Sequence, residues 1–101
     1  MLFAISGILK PGAEASLPGL QGAFNEHLAQ PFRKIRLAGA LRGDGGKRIG
    51  YMVFLEAEDR DHAEAYLHES PLFQADLYSR VEVVEYEIEV GGLNEGPNAW
   101  G

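Results

Sequence analysis

The stretch from residue 37 to residue 58, LAGALRGDGGKRIGYMVFLEAE, decides the fold. It reads as two strands joined by a Gly-rich turn. Residues 37–41 are small and apolar, Arg36 and Arg42 flank them, and Gly43-Asp44-Gly45-Gly46 follows. Asp-Gly and Gly-Gly pairs accept positive φ at little cost, which makes them strong hairpin signals. The second strand contains Ile49-Gly50-Tyr51-Met52-Val53-Phe54-Leu55. Side chains alternate across a strand, so Tyr51, Val53 and Leu55 share one face and Met52 and Phe54 the other. Both faces are apolar. Helices of the same chain can cover one of them, but 101 residues leave little to cover the second. The expectation is a homodimer in which a second copy covers it, sheet against sheet.

Working outward, residues 2–9 read as a buried strand with Phe3, Ile5 and Ile8, ending at the Lys10-Pro11-Gly12 turn. Ser16 can cap a helix with Pro18 in its first turn. In that helix Leu20, Phe24 and Leu28 recur at i, i+4 and i+8, with Ala23 and His27 beside the stripe, and Pro31 is expected to kink or end it. On the far side of the hairpin a second helix starts at Asp59 or Asp61. Asp61 and Glu64 have capping-box spacing, and Ala63, Tyr66 and Leu67 form the inward stripe. Ser70 then caps a short helical segment with Pro71 at its first position.

The last strand is expected over residues 80–90. Val84, Tyr86, Ile88 and Val90 fall on one face and Glu85, Glu87 and Glu89 on the other, while Val81 and Val83 have the opposite phase, which suggests a β-bulge at Val83-Val84. Residues 1–92 are read as one domain. Residues 93–101 are read as a flexible tail, unless Trp100 docks on a partner subunit. The order β-α-β-β-α-β predicts an α+β, ferredoxin-like fold: a four-stranded antiparallel sheet with both helices on one face.

Composition narrows the function classes. Net charge is −6 with 15 acidic against 9 basic residues, and the pI is near 4.9. An acidic surface argues against nucleic acid, whose phosphates need clustered Lys and Arg. Arg33, Lys34 and Arg36 come closest to a cluster and read as a solvated helix end. The absence of cysteine excludes disulfides, thiolate ligands and a Cys nucleophile. MLFAISGILK lacks the basic start of a signal peptide, and no apolar run reaches the length of a membrane span. The expected setting is the cytoplasm, with no membrane partner.

Residues 38–90 resemble the YCII-related (YciI-like) family. The matching features are the AGAL-RGDGG turn, the strand GYMVFLEAE, the helix containing HAEAYL, and SPLFQADLYSRVEVVEYEI, in the order the family has them. The resemblance implies a dimeric α+β barrel in which two sheets pack face to face, with a cleft beside each sheet holding a His and Asp pair. Some members look like small-molecule enzymes, including a dehydrochlorinase acting on a chlorinated quinone. His27 in NEHLAQ matches the family histidine on the first helix. Asp44 matches the Asp-Gly-Gly turn. Ser70 stands where the family has the aspartate of Asp-Pro.

The candidate site follows from the residues and this likeness together. Imidazole titrates near neutral pH, so His27 is the candidate general base. Asp44 would orient it or bind a polar substrate group, although Asp before Gly is also what a tight turn wants. Ser70 is most simply a helix cap, and its hydroxyl could replace the family acid as a hydrogen-bond partner. Arg36 and Arg42 would suit an anionic substrate, with the alternative of solubilising charges at a strand edge. Tyr51, a core or interface aromatic by its place in the strand, is set beside them as a substrate-binding candidate. His62 and His68 are six apart, a poor metal pair, and no metal or organic cofactor is called for. The reading is a small homodimeric acid–base enzyme of lyase or hydrolase type on a small, aromatic or carbonyl-bearing molecule. The alternative is a non-catalytic ligand-binding module that has lost the dyad, as Ser70 suggests.

Overall fold

In the computed structural model of the chain, residues 1–30 and 33–92 are described. Four strands, β1 (Leu2–Leu9), β2 (Lys34–Arg42), β3 (Arg48–Glu56) and β4 (Tyr78–Glu85), form one antiparallel sheet in the order β2-β3-β1-β4. Three helices, α1 (Leu17–Leu28), α2 (Arg60–His68) and the short α3 (Pro71–Gln74), complete the ferredoxin-like α+β arrangement.

The hairpin forms for the reason its glycines suggest. Gly45 and Gly46 both sit at positive φ, 77° and 78°, where a side chain would be strained. The Gly43 amide donates to the Lys47 carbonyl at 2.8 Å and closes the turn. Tyr51, Val53 and Leu55 turn inward and are buried, while Met52 and Phe54 face the other way and are only partly covered.

Two packed clusters lie under the helices. Phe3, Ile5, Val53 and Leu55 meet Ala63, Tyr66 and Leu67 of α2. Leu9 and Tyr51 meet Leu17 and Phe24 of α1 and Leu72 of α3. Two glycines let the middle of the sheet close. A Cβ on Gly7 would lie 2.5 Å from the Tyr78 ring, and one on Gly50 would collide with the Gly7 carbonyl.

Several expectations need correction. β4 ends at Glu85 rather than running to residue 90. The Tyr86 amide still donates to the Leu2 carbonyl at 2.8 Å, after which the ladder has no further partner on β1. The register is regular through Val83 and Val84, and the irregularity lies instead opposite Ile8 and Leu9. The two phases of valine are the two faces of the sheet: Val81 and Val83 pack against the helical core, and Val84 is exposed. The cap of α2 is Asp59, whose carboxylate accepts from the His62 amide at 2.9 Å, so Asp61 lies inside the first turn. Ser70 does occupy the N-cap position of α3, yet its side chain makes no capping bond. Pro31, Trp100 and the tail over 93–101 lie outside the described residues.

Candidate functional site

α1 turns Leu17, Phe24 and His27 inward, three and seven residues apart along one face. The sequence places His27 beside the apolar stripe, on the flank of the helix, where a histidine is ordinarily half-exposed. It is instead only 5% exposed, and its ring stacks on Tyr66 of α2 with centroids 4.1 Å apart and planes at 23°. Ser70, 4% exposed, is the other buried polar residue among those described. His27, Tyr66 and Ser70 line one small cavity of about 20 Å³, together with Tyr51 and Tyr78 and apolar walls from β1 and β3. That is room for about one water molecule.

Three polar atoms around this cavity, His27 Nε2, the Tyr66 hydroxyl and Ser70 Oγ, are buried without a hydrogen-bond partner. Buried polar atoms are rarely left unpaired, because each costs about 1–3 kcal/mol. Three together in one core are a departure from what stability alone would select.

The electrostatics make the cavity neutral at pH 7. Burial pulls the His27 pKa below the ordinary 6.5; Glu69 and the Tyr66 main chain oppose this and Arg33 adds to it. The Tyr66 phenol is pushed up to about 12, chiefly by burial. Tyr78 is pushed up as well, by burial first and Tyr51 next. The Ser70 hydroxyl pulls the other way, although its Oγ closes no hydrogen bond. Outside the stack, Arg33 lies 5.6 Å over the Tyr66 ring and holds Glu69 with two 3.0 Å hydrogen bonds.

Gln30 decides which nitrogen of His27 faces the cavity with a proton. Its Nε2 lies 3.3 Å from His27 Nδ1. An amide donating there leaves the single proton of the neutral ring on Nε2, so the cavity sees an N–H. Turning the Gln30 amide over puts its oxygen on an Nδ1–H, and Nε2 then offers a lone pair. The Gln30 Oε1 is itself buried and unpaired, so no other bond holds the amide in its present orientation by that atom.

Of the residues expected to form a site, the structure brings His27, Ser70 and Tyr51 to one cavity and leaves the others outside it. Asp44 is exposed in the hairpin turn and does not line it. Arg36 lies at an irregularity of β2, 3.6 Å from Glu56, and Arg42 donates to the Gly46 carbonyl at 2.7 Å. They therefore do not sit together over His27 as a pair of anchors. Tyr66, Tyr78, Gln30 and Arg48 were missed. The available signal for Tyr66 was a phenol in a helix stripe otherwise made of Ala and Leu. Arg48 donates to the Tyr51 hydroxyl at 3.2 Å, and Tyr51 also packs on Phe24 with centroids 4.7 Å apart. Among the described residues no three His, Asp or Glu side chains gather as a metal-binding group, and no helix is long and apolar enough to cross a membrane.

No protein-family model and no curated protein matches the chain. Solved structures do. The 5-chloro-2-hydroxyhydroquinone dehydrochlorinase TftG from Burkholderia phenoliruptrix AC1100, in complex with 2,5-dihydroxybenzoquinone, aligns with a TM-score of 0.79 at 24% identity, covering 86% of this chain and 94% of that one. Rv0793 from Mycobacterium tuberculosis aligns at 0.47 and 17% identity, covering 89% and 97%. An uncharacterized NIPSNAP domain protein from Burkholderia xenovorans aligns at 0.46 and 19%, covering 83% and 90%. The first of these alignments shows a shared α+β, ferredoxin-like fold.

Proposed function

We propose that the chain is a homodimeric acid–base enzyme of lyase type, acting on a small molecule with an aromatic or carbonyl-bearing ring, in which His27 transfers the proton. The observation that carries this reading is the trio of unpaired atoms, His27 Nε2, the Tyr66 hydroxyl and Ser70 Oγ, around one cavity. A neutral imidazole is a competent base at pH 7, and burial keeps His27 in that form. With the Gln30 oxygen on Nδ1–H, Nε2 takes a proton from the substrate. The electron pair of the broken bond expels the leaving group, and the neutral Tyr66 and Ser70 hydroxyls donate to the oxygen or leaving group where negative charge gathers. The dehydrochlorinase of the same fold, which acts on a chlorinated hydroquinone, agrees with this chemistry.

The homodimer rests on the open side of the sheet, where Leu37, Val84 and Tyr86 are 47, 46 and 45% exposed and Phe54 meets Tyr86 edge-on at 5.0 Å. Such a contiguous apolar face favours burial against a like surface.

Turnover of 5-chloro-2-hydroxyhydroquinone, followed as chloride release, tests the reading. His27→Gln should reduce the rate by roughly 10²–10⁴-fold. Full activity in that variant would remove His27 from the chemistry. A second reading, a ligand-binding module without catalysis, is favoured by the size of the cavity, about 20 Å³, which admits a substrate atom only if a wall moves. It predicts no chloride release from any halogenated hydroquinone.

A further inference from the structure

A larger slot adjoins the His27 cavity on the hairpin side. It lies between α1 and the β2–β3 hairpin, has a volume of about 180 Å³, and shares Phe24, Tyr51 and Val53 with the smaller cavity. The slot exists because the part of β2 beside it turns the small residues Ala38 and Ala40 toward the helix side, opposite Val53 and Tyr51. Larger residues there would fill it. An apolar cavity of about 150 Å³ accepts a benzene ring.

The slot also carries a positive charge. The described basic residues in ion pairs with carboxylates are Lys10 with Asp76, Arg33 with Glu69, Arg36 with Glu56 and Lys47 with Glu14. Arg48 lines the slot, is partly buried, and has no carboxylate partner among the described residues, in a chain with 15 acids against 9 bases. Its contacts are with a neutral group: one N–H donates to the Tyr51 hydroxyl at 3.2 Å, and the guanidinium carbon lies 5.6 Å over the Tyr51 ring. A guanidinium carries five N–H donors in a planar fork matched to a carboxylate or phenolate. Here most of them stay available beside two aromatic rings.

We propose that this slot binds a monocyclic aromatic anion, with Arg48 taking the anionic oxygen and Phe24 and Tyr51 packing against the ring. The site names the substrate class of the acid–base reading and rests on that reading for its chemistry, though not for the binding itself. Arg48 takes the anchoring role that the sequence suggested for Arg36 and Arg42. The slot lies next to the His27 cavity, with Phe24, Tyr51 and Val53 lining both.

The test is a titration of the full chain with benzoate and with benzyl alcohol, which has the ring without the charge, followed by backbone amide shifts and calorimetry. Benzoate should shift the amides of Ala38, Gly39 and Ala40. Arg48→Gln should weaken it about tenfold or more, the loss of a charge-assisted hydrogen bond, and leave benzyl alcohol within about twofold. Ala38→Leu, on an exposed part of β2, should block both ligands and serves if Arg48→Gln does not fold. Equal benzoate affinity in wild type and Arg48→Gln, shifts confined to other surfaces, or no benzoate binding would overturn the proposal. His27→Gln separates the two claims. Retained benzoate binding with no change in turnover removes the His27 chemistry and keeps the slot. Lost turnover with no benzoate binding in the wild type keeps the chemistry and removes the slot.

Discussion

The two sides of β3 show opposite departures from what packing alone would select. On the inner side Tyr51, Val53 and Leu55 lie under helices, in the driest part of the molecule, and it is there that three polar atoms go unpaired. On the outer side Met52 and Phe54 continue with Leu37, Val84 and Tyr86 into an apolar surface that none of the described elements covers. A sequence selected only for a stable monomer would reverse both choices, placing apolar groups around the cavity and polar ones on the outer face. The comparison teaches where the chain departs from what stability alone would select: at the inner cavity, where we propose a site, and on the outer face, where we propose assembly.

The largest effects should come from breaking the inner side. Leu55 is 1% exposed, and Leu55→Ala should cost about 2–5 kcal/mol in urea unfolding. Gly50→Ala places a methyl group against the Gly7 carbonyl and should be at least as damaging, since backbone cannot yield as a side chain can. On the outer side Phe54→Glu should leave the helical core intact while dissociating the proposed dimer. Sedimentation equilibrium should then give a particle of 11.0 kDa where the unaltered chain gives twice that. A wild-type mass of 11.0 kDa would refute the assembly.

The same contrast explains what could be read from the sequence. Alternation in β1 and β3, the glycines of the turn and the stripe in α2 gave the strand order, because each reports a local rule that tertiary packing did not override. β4 was read too long because residues 86–90 continue to alternate, and alternation does not reveal where the neighbouring strand stops offering hydrogen bonds. His27 was legible as a candidate through the family resemblance alone. Its burial was not, since the Leu20-Phe24-Leu28 stripe placed it on the flank, whereas Leu17-Phe24-His27 is the row that points inward. Tyr66 was legible only as core. Its meeting with Ser70 and His27 joins three separate elements, and no spacing along the chain reports such a meeting. Arg48 was hidden among nine basic residues, because what distinguishes it is its place in space, on the slot and beside the Tyr51 hydroxyl.

A smaller effect sharpens the inner half of the comparison. Tyr66→Phe keeps the ring stacked on His27 and removes only the unpaired hydroxyl. If the hydroxyl is unpaired in solution, stability should rise by about 1 kcal/mol, while any turnover falls. A loss of similar size would mean that water occupies the cavity and bridges the three atoms, which would make the cluster structural. Thermal and urea unfolding of this one variant therefore separate a site held open for a ligand from a hydrated core.

The smallest expected effect is a pH dependence of stability assignable to His27. Burial sets its folded pKa below the unfolded 6.5. Arg33 acts in the same direction, Glu69 and the Tyr66 main chain oppose it, and the phenols of Tyr66 and Tyr78 around it stay neutral. Above pH 6.5 both states hold a neutral imidazole, so His27 adds no slope. As pH falls below 6.5 the unfolded chain takes up the proton first, and the folded state loses stability until its own lower pKa is passed. Subtracting the unfolding free energy of His27→Gln at each pH removes the contribution of the surface carboxylates, which titrate in the same region, and should leave a curve that falls toward acid only in that window. Glu69→Gln takes away the charge that favours the imidazolium, so it should extend the window to lower pH. A flat difference curve from pH 7.5 to 4.5 would place His27 in water rather than against Tyr66, and the inner side of the sheet would then lose the feature that sets it apart from the outer one.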